Sequence, residues 1–348
     1  MNKTINRSFF QITKDGMLAA IDKMLQDYSV AALTEKNKNV IFDFVKSSTE
    51  ISNVYKPTIL SPKKFFFPQE EVILEYTTEG KVTAIIESKP MVLFKIRPCD
   101  INAKKVMDET FAESNGDANY LSKIENSVII GIDCKQVCDE DSFCYRVNSQ
   151  EVTTGCDILL YDLGGKYIFE YKNEKGKEFT IKYFGSQGSD HGEYDKFLKE
   201  KESNFGKTEG PFKDLEYLPG VFEHTKDHPI WEEEAKRCLS CGSCIMVCPT
   251  CYCFDVADEL ALNLKEGQRL RRWDACMLSD FANVATGESF RKEVSNRIRH
   301  RMNRKFNFLM RKHHQPACVG CGRCVRACLA DISPKEIVEI ITGEKERE

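Results

Sequence analysis

Two runs of four cysteines with identical spacing constrain this chain more than any other feature of its sequence. The first run is Cys238, Cys241, Cys244 and Cys248, and the second is Cys318, Cys321, Cys324 and Cys328. Both follow the pattern C-x2-C-x2-C-x3-C, which is a spacing that holds a [4Fe–4S] cluster through cysteine thiolates. Small residues inside the runs, among them Gly242 and Gly322, suit a backbone that curls around a cluster. The sequence therefore predicts two clusters.

The order of the cysteines also predicts which thiols share a cluster. In proteins with two such runs, the fourth cysteine of each run ligates the cluster of the other run. This crossing predicts one cluster on Cys238, Cys241, Cys244 and Cys328, and a second on Cys318, Cys321, Cys324 and Cys248. Zinc sites or disulfides are the alternatives. Zinc ligand pairs normally lack the third closely spaced cysteine, so the cluster interpretation is favoured.

The number of cysteines raises the question of the cellular compartment. The chain has 16 cysteines in 348 residues, which is high for an ordinary cytosolic enzyme, so they are either disulfides or ligands. Residues Met1 to Asp27 contain no apolar stretch followed by a small-residue cleavage site. Nor does any apolar run approach the roughly 18 residues that span a bilayer. We therefore expect a cytoplasmic protein without a membrane anchor, whose cysteines are mostly ligands.

The first two thirds of the chain show the pattern of an α/β domain. A predicted strand at Met91 to Ile96 leads into a helix at Ile101 to Glu113, with Asp100 as its expected N-cap. A second strand, Ser127 to Ile132, follows after roughly 30 residues. This strand-helix-strand order is typical of a parallel sheet. We expect residues 1–225 to form an α/β domain with a mixed or parallel sheet and helices.

Four further cysteines belong to this predicted sheet. Cys99 and Cys134 leave the carboxyl ends of the two strands, and Cys138 and Cys144 follow shortly after. Open α/β sheets place their ligands at that edge, so these four thiols are candidates for a third cluster. The alternative is a structural role, because buried cysteines without ligands are common in cores. Cys156 is expected to be a core cysteine of this kind.

The last third of the chain is expected to form the cluster domain. A segment rich in glycine, proline, lysine and glutamate, Lys201 to His228, is typical of a linker. Residues 226–348 would then form an α+β, mainly helical, two-cluster ferredoxin-like domain. The thiols of Cys251, Cys253 and Cys276 are not needed by two clusters. They would shield the clusters, bind another metal or replace a ligand in the crossing scheme.

A basic stretch lies between the two runs. Arg291 to Lys312 contains nine Lys or Arg residues against one acidic residue, Glu293. Such a stretch invites a nucleic-acid hypothesis, but stabilisation of negatively charged clusters or docking of an acidic partner is favoured. Phe306 and Phe308 are expected to face a core. The sequence contains no glycine-rich phosphate loop and no nucleophile motif, so we assign no catalytic residue.

Several motifs in fixed order resemble those of a known family. They are Phe66-Phe67-Pro68-Gln69-Glu70, Arg97-Pro98-Cys99-Asp100, Gly131-Ile132-Asp133-Cys134, Cys248-Pro249-Thr250-Cys251-Tyr252-Cys253, Arg272-Trp273-Asp274-Ala275-Cys276 and Cys318-Val319-Gly320-Cys321-Gly322-Arg323-Cys324. Together they resemble the dicluster iron–sulfur component that anaerobic sulfite reductase shares with soluble sulfhydrogenase, in which it is the beta chain. One departure is Ser142, where relatives tend to have a cysteine.

The resemblance implies a function in electron transfer. It implies a subunit that passes electrons between two partners. One partner is a flavin and NAD(P)-binding reductase subunit, and the other is a catalytic redox subunit. The latter would be either a siroheme sulfite reductase or a nickel-iron hydrogenase. We expect the chain to be the electron-transfer subunit of a cytoplasmic anaerobic oxidoreductase complex. The alternatives are a catalytic reductase that uses Cys251, Cys253 and Cys276, and an iron–sulfur protein that binds nucleic acid.

Overall fold

The computed structural model describes residues 8–54, 57–185, 188–189, 191–207, 210–343 and 345. The strands are β1 (Phe10–Thr13), β2 (Ser29–Lys36), β3 (Asn39–Val45), β4 (Glu70–Thr77), β5 (Val82–Ala84), β6 (Met91–Ile96), β7 (Ser127–Ile132), β8 (Ile158–Asp162), β9 (Lys166–Tyr171), β10 (Phe254–Leu260) and β11 (Glu266–Trp273). The helices are α1 (Lys14–Met24), α2 (Pro98–Phe111), α3 (Ala118–Glu125), α4 (Glu174–Tyr183), α5 (His191–Asn204), α6 (Leu218–Glu223), α7 (Ile230–Arg237), α8 (Ser243–Met246), α9 (Val294–Asn303), α10 (Leu309–His313), α11 (Arg323–Arg326) and α12 (Pro334–Ile341). A π-helical turn, Arg304–Phe308, joins α9 to α10.

A seven-stranded mixed sheet forms the N-terminal part, with the strand order β1-β9-β8-β7-β6-β2-β3. The four central strands β8, β7, β6 and β2 are parallel, and the outer pairs are antiparallel. Every residue of β6 and β7 is buried, as expected of parallel strands that are covered on both faces. The predicted mixed sheet with helices and the two predicted strands are confirmed.

Helices cover both faces of this sheet. On one face, Met17 of α1 and Phe179 of α4 belong to one apolar core. On the other face, Ile101 and Phe111 of α2 pack with Tyr120 of α3 in a second core. Because α2 leaves the end of β6, this layering fixes the position of the residues at the carboxyl edge of the sheet.

A second, four-stranded sheet has the order β10-β11-β4-β5 and is antiparallel throughout. Its strands come from both sides of the predicted boundary at residues 225 and 226. Arg271 of β11, whose side chain is 5% exposed, forms ion pairs with Glu71 of β4 and with Asp117 before α3. The division into two domains stays a prediction, and this sheet gives the two parts an extended contact.

The C-terminal part combines helices with the β10–β11 hairpin, as an α+β domain requires. The narrower expectation of a mainly helical domain stays a prediction. In the described part of the predicted linker, α6 buries Leu218 and Phe222 in the C-terminal core, so this segment is packed rather than open. Within the described ranges, each helix is too short or too polar to cross a lipid bilayer.

Two local expectations were wrong. The N-cap of α2 is Arg97, not Asp100, because the helix begins at Pro98, a residue favoured in the first helical turn. Asp100 instead lies in that first turn. Phe306 is fully buried, but Phe308 is 47% exposed, because residues two positions apart in a helix do not share a face.

Candidate iron–sulfur centres

The two cysteine runs have the same local structure. In each run a glycine with positive φ, Gly242 at 76° and Gly322 at 71°, precedes a single helical turn, α8 or α11. A Cβ atom added to Gly242 would lie 2.9 Å from the Cβ of Ala275, so the turn requires glycine for both its backbone angle and its packing. The two short helices pack against each other.

The first cavity combines thiols from both runs. Its lining includes four cysteines, Cys238, Cys241, Cys244 and Cys328, which we call the first-run site. The Ser240 N–H donates to the Cys238 Sγ at 3.4 Å, and such bonds to sulfur tune a cluster. Cys241 is exposed, and Leu239 and Leu329 at the rim are 65% and 85% exposed. The structure thus brings together the set that the crossing predicts, and the ligation itself stays a prediction.

The remaining thiols of the runs form a second group, Cys318, Cys321, Cys324 and Cys248, which we call the second-run site. Burial raises the pKa of Cys318 and Cys324 to about 12. Cys248 lies close enough to raise the pKa of the other three thiols further. Buried thiols such as Cys318 and Cys324 ionise only beside positive charge, which the iron of a cluster would supply. A hydrogen bond with Cys251 already lowers the pKa of Cys248 well below its usual value.

Buried cations lie against both sites. Arg301 is 6% exposed. Burial by itself lowers its pKa, but Cys244 and Cys324 raise the pKa well above its usual value overall, so Arg301 lies near thiols of both sites. Lys305, also 6% exposed, donates from Nζ to the Cys248 Sγ at 3.4 Å and to Thr250. The basic stretch therefore directs these two cations toward thiols, which favours a role in cluster stabilisation.

The sheet-edge site consists of Cys99, Cys134, Cys138 and Cys144. Cys99 follows β6 and Cys134 follows the neighbouring parallel strand β7. Burial, and then the nearby Cys134, raises the pKa of Cys138 to about 12 and also raises the pKa of Cys144. Cys144 in turn contributes to the raised pKa of Cys99. The four thiols are therefore neighbours. Cys321 of the second-run site also raises the pKa of Cys99 and Cys144.

The loop after β7 ties the sheet-edge site to the second run. The Phe143 N–H donates to the Gly320 carbonyl at 2.7 Å, and Ser149 Oγ donates to the Val319 carbonyl at 2.6 Å. Ser142, at the departure from the family pattern, is buried and donates to Asp139 Oδ1 at 2.8 Å. The loop thus lies directly against the second run.

A buried ion pair that the sequence reasoning missed connects the same two regions. Arg323 of α11 forms two hydrogen bonds with the carboxylate of Asp100 in α2, at 2.7 and 2.8 Å, and both side chains are 1% exposed. Arg323 Nε also donates to the Thr58 carbonyl at 2.7 Å. An arginine inside a cysteine run was a visible signal, but its partner lies 223 residues away.

The three surplus thiols lie together. Cys251, Cys253 and Cys276 line a cavity of about 370 Å³. A hydrogen bond with Cys276 lowers the pKa of Cys253 to about 7, and Cys251 shares a hydrogen bond with Cys248. Lys63, 4% exposed and unforeseen from the sequence, donates to the Cys251 carbonyl at 2.8 Å. In contrast, Cys156 is a buried core residue, as expected.

The residues of these sites fit iron–sulfur clusters. Buried thiols, backbone N–H donors and buried cations together provide what an anionic cluster needs. When bound, such clusters exchange single electrons. Among the described residues, no group of three or more His, Cys, Asp or Glu side chains is arranged to hold a single metal ion.

Comparisons with known proteins agree with this geometry. Residues 237–332 match the family of the 4Fe-4S dicluster domain, and this segment contains both cysteine runs. The fold and the match define an iron–sulfur protein of electron transfer. The sulfhydrogenase 2 subunit beta of Pyrococcus furiosus is 30% identical over 307 residues, which cover 87% of this chain and 89% of that protein. The chain therefore belongs to the family of sulfhydrogenase beta subunits.

Proposed function

We propose that this chain is the electron-transfer subunit of an oxidoreductase complex. It would pass electrons through a [4Fe–4S] cluster at the first-run site, a second at the second-run site and a third at the sheet-edge site. The observation that carries this proposal is the contiguity of the three groups of thiols. Arg301 lies near thiols of both run sites. Cys321 of the second-run site lies close enough to raise the pKa of Cys99 and Cys144 in the sheet-edge site.

The ends of this series indicate where partners would dock. The first-run site has the exposed Cys241 and two exposed leucines at its rim, so electrons would enter or leave there. One partner would be a flavin and NAD(P)-binding reductase subunit. The other would be a catalytic subunit of the sulfite reductase or hydrogenase type. We propose that the complex is cytoplasmic.

Iron and acid-labile sulfide analysis after anaerobic purification tests the clusters. Two clusters of four irons give about eight irons per chain, and three give about twelve. Cys134→Ser should lower the count from about twelve to about eight, while the matched core variant Cys156→Ser should leave it unchanged. A preparation without iron would contradict the proposal.

Purification of the native complex tests the partners. A tag on this chain should retain a flavoprotein together with a subunit that carries either siroheme or nickel and iron. Recovery of the chain alone, with all its clusters reducible but without any redox partner, would contradict the assigned role.

The cavity of the surplus thiols favours a second candidate function. Cys253 and Cys276 share a hydrogen bond and line a cavity together with Arg301, Arg304 and Lys305, so they could act as a redox-active thiol pair on a sulfur anion. In that case the isolated chain should reduce sulfite or a disulfide with an artificial donor. Cys253→Ser should abolish this activity without loss of iron. Absence of activity in the iron-replete chain would leave electron transfer as the function.

A further inference from the structure

A large cavity opens at the carboxyl edge of the seven-stranded sheet and contains none of the cysteines. Its volume is about 650 Å³, and residues at or after the ends of β6, β7 and β8 line it together with α1. Open α/β sheets bind their ligands at this edge, and cavities of this size accommodate small organic molecules. The thiol sites do not account for this space.

One side of the cavity is apolar. Met17 and Ile21 of α1, Leu33 of β2, Phe94 of β6 and Ile132 of β7 contribute to its lining. Leu18, also in the lining, is 40% exposed, and Ile132 is 9% exposed. A wall of this composition suits a planar ring system, because burial of apolar surface stabilises the bound form.

The other side of the cavity contains two buried cations. Lys95 is 8% exposed and Arg97 is 7% exposed. Lys95 Nζ donates to the neutral Asn53 Oδ1 at 2.8 Å. Arg97 donates to the Val54 carbonyl at 3.5 Å and to the Cys134 Sγ at 3.7 Å.

Each carboxylate that lines the cavity already forms an ion pair with a lysine. Asp162 pairs with Lys14 at 2.6 Å, and Glu200 pairs with Lys135 at 2.7 Å. Asp133 pairs with Lys201, which lies outside the lining, at 3.0 Å. The cavity therefore carries an excess of positive charge beside Lys95.

The backbone at Lys95 is shaped to point this lysine into the cavity. Consecutive side chains of a regular strand point to opposite faces, yet Phe94 and Lys95 line the same cavity. The pairing of β6 with β7 shifts register between Phe94 and Ile96, and Lys95 has φ of 59°. A bulge of this kind redirects a side chain, and a left-handed angle in a buried lysine persists only where the surrounding structure holds it in place.

We infer that this cavity binds an organic phosphate with a planar ring, of the size of a mononucleotide. The phosphate would contact Lys95 and Arg97, since lysine and arginine are the usual phosphate-binding side chains. The ring would lie against Leu18 and Ile132. Burial, followed by the neighbouring Lys14, lowers the pKa of Lys95 to about 8, and a bound anion would favour the ammonium form.

Calorimetric titration of the anaerobically purified full-length protein tests this site. The probes are FMN, AMP, riboflavin, adenosine and inorganic phosphate. We expect FMN or AMP to bind at least tenfold more tightly than its counterpart without the phosphate, which is riboflavin for FMN and adenosine for AMP. Inorganic phosphate should bind at least tenfold more weakly than either nucleotide, because it lacks the ring.

Variants of Lys95 locate the binding. Lys95→Met should weaken nucleotide binding at least tenfold. Lys95→Asn tolerates the positive φ and should give the same loss, so a folding defect of the first variant does not decide the test. The control is Lys38→Met, which removes an exposed lysine with a similar φ of 65°, and it should bind as the unaltered chain does. No nucleotide binding at millimolar concentration, or binding unchanged in both Lys95 variants, would overturn the inference.

Discussion

The buried ion pair between Asp100 and Arg323 provides the sharpest test of how the two parts of the chain hold together. Both side chains are 1% exposed, and two hydrogen bonds of 2.7 and 2.8 Å connect them. Removal of one partner from such a pair costs about 3–5 kcal/mol, because the other charge stays buried without compensation. With an unfolding entropy of about 2.1 cal/mol/K per residue, each kcal/mol lowers the thermal midpoint of a chain of 348 residues by roughly 1–2 °C. Arg323→Met should therefore lower the midpoint by about 3–10 °C.

The two single variants should differ in severity. In Arg323→Met, the stabilisation left to the Asp100 carboxylate comes from the N-terminal end of α2, which stabilises a negative charge by about 0.3–1 kcal/mol. In Asp100→Asn, the guanidinium of Arg323 still lies near Cys321 and Cys99, which raise its pKa. We therefore expect the smaller loss of stability in Asp100→Asn. The double variant should melt at a higher temperature than Arg323→Met alone, since it no longer buries an unpaired carboxylate.

A matched surface pair controls for geometry. Arg269 and Asp258 also form two hydrogen bonds, at 2.7 and 2.8 Å, but their side chains are 43% and 47% exposed. Exposed pairs contribute little to stability, so Arg269→Met should leave the midpoint unchanged. The midpoint is followed by circular dichroism and by the visible absorbance of the anaerobic protein. If the losses of the two single variants simply added in the double variant, Asp100 and Arg323 would not be energetically coupled.

Four further outcomes follow from the same contacts. Cys248→Ser should remove the electron paramagnetic resonance signal of the second-run site first, and selective loss of the first-run signal would exclude the crossing. Lys305→Met should make the potential of the second-run cluster more negative by on the order of 50 mV in a redox titration, because a cation bonded to a ligand sulfur is lost. Leu329→Glu should slow electron delivery to the redox partner at constant iron content, whereas equal rates would place docking elsewhere. Removal of iron with a chelator should lower the thermal midpoint more than Cys156→Ser does, because buried cations then lose their anionic neighbours.

The sequence predicted the elements whose signals are local. The strands at Met91 to Ile96 and Ser127 to Ile132 were found because fully apolar runs bounded by turn residues are typical of buried parallel strands. Their adjacency follows from the roughly 30-residue repeat. The convergence of Cys99 and Cys134 at one edge follows from that adjacency, since the ends of neighbouring parallel strands meet there.

Other features depend on contacts that no local pattern contains. Arg271 pairs with Glu71, 200 residues away in the sequence, within a sheet that joins β11 to β4. The sequence of neither strand indicates with which strand it pairs. The bulge at Lys95 interrupts an otherwise regular apolar run, and a single lysine in a strand is not a signal for positive φ. The π-helical turn likewise leaves no periodic trace in the sequence, yet it carries Lys305 at the second-run site. These features arise from tertiary packing.

The buried cations and the thiols depend on each other. A lysine or arginine that is at least nine-tenths buried costs several kcal/mol unless an anion lies close by. Lys305 bonds to a thiol, and Arg301 has cysteines as its nearest anionic groups. Burial favours the neutral form of Cys318 and Cys324, whereas a hydrogen bond with Cys251 and the charge of Lys305 lower the pKa of Cys248 well below its usual value. Lys305 and the Cys248 thiolate therefore compensate each other, and Cys318 and Cys324 would ionise only beside the iron of a cluster.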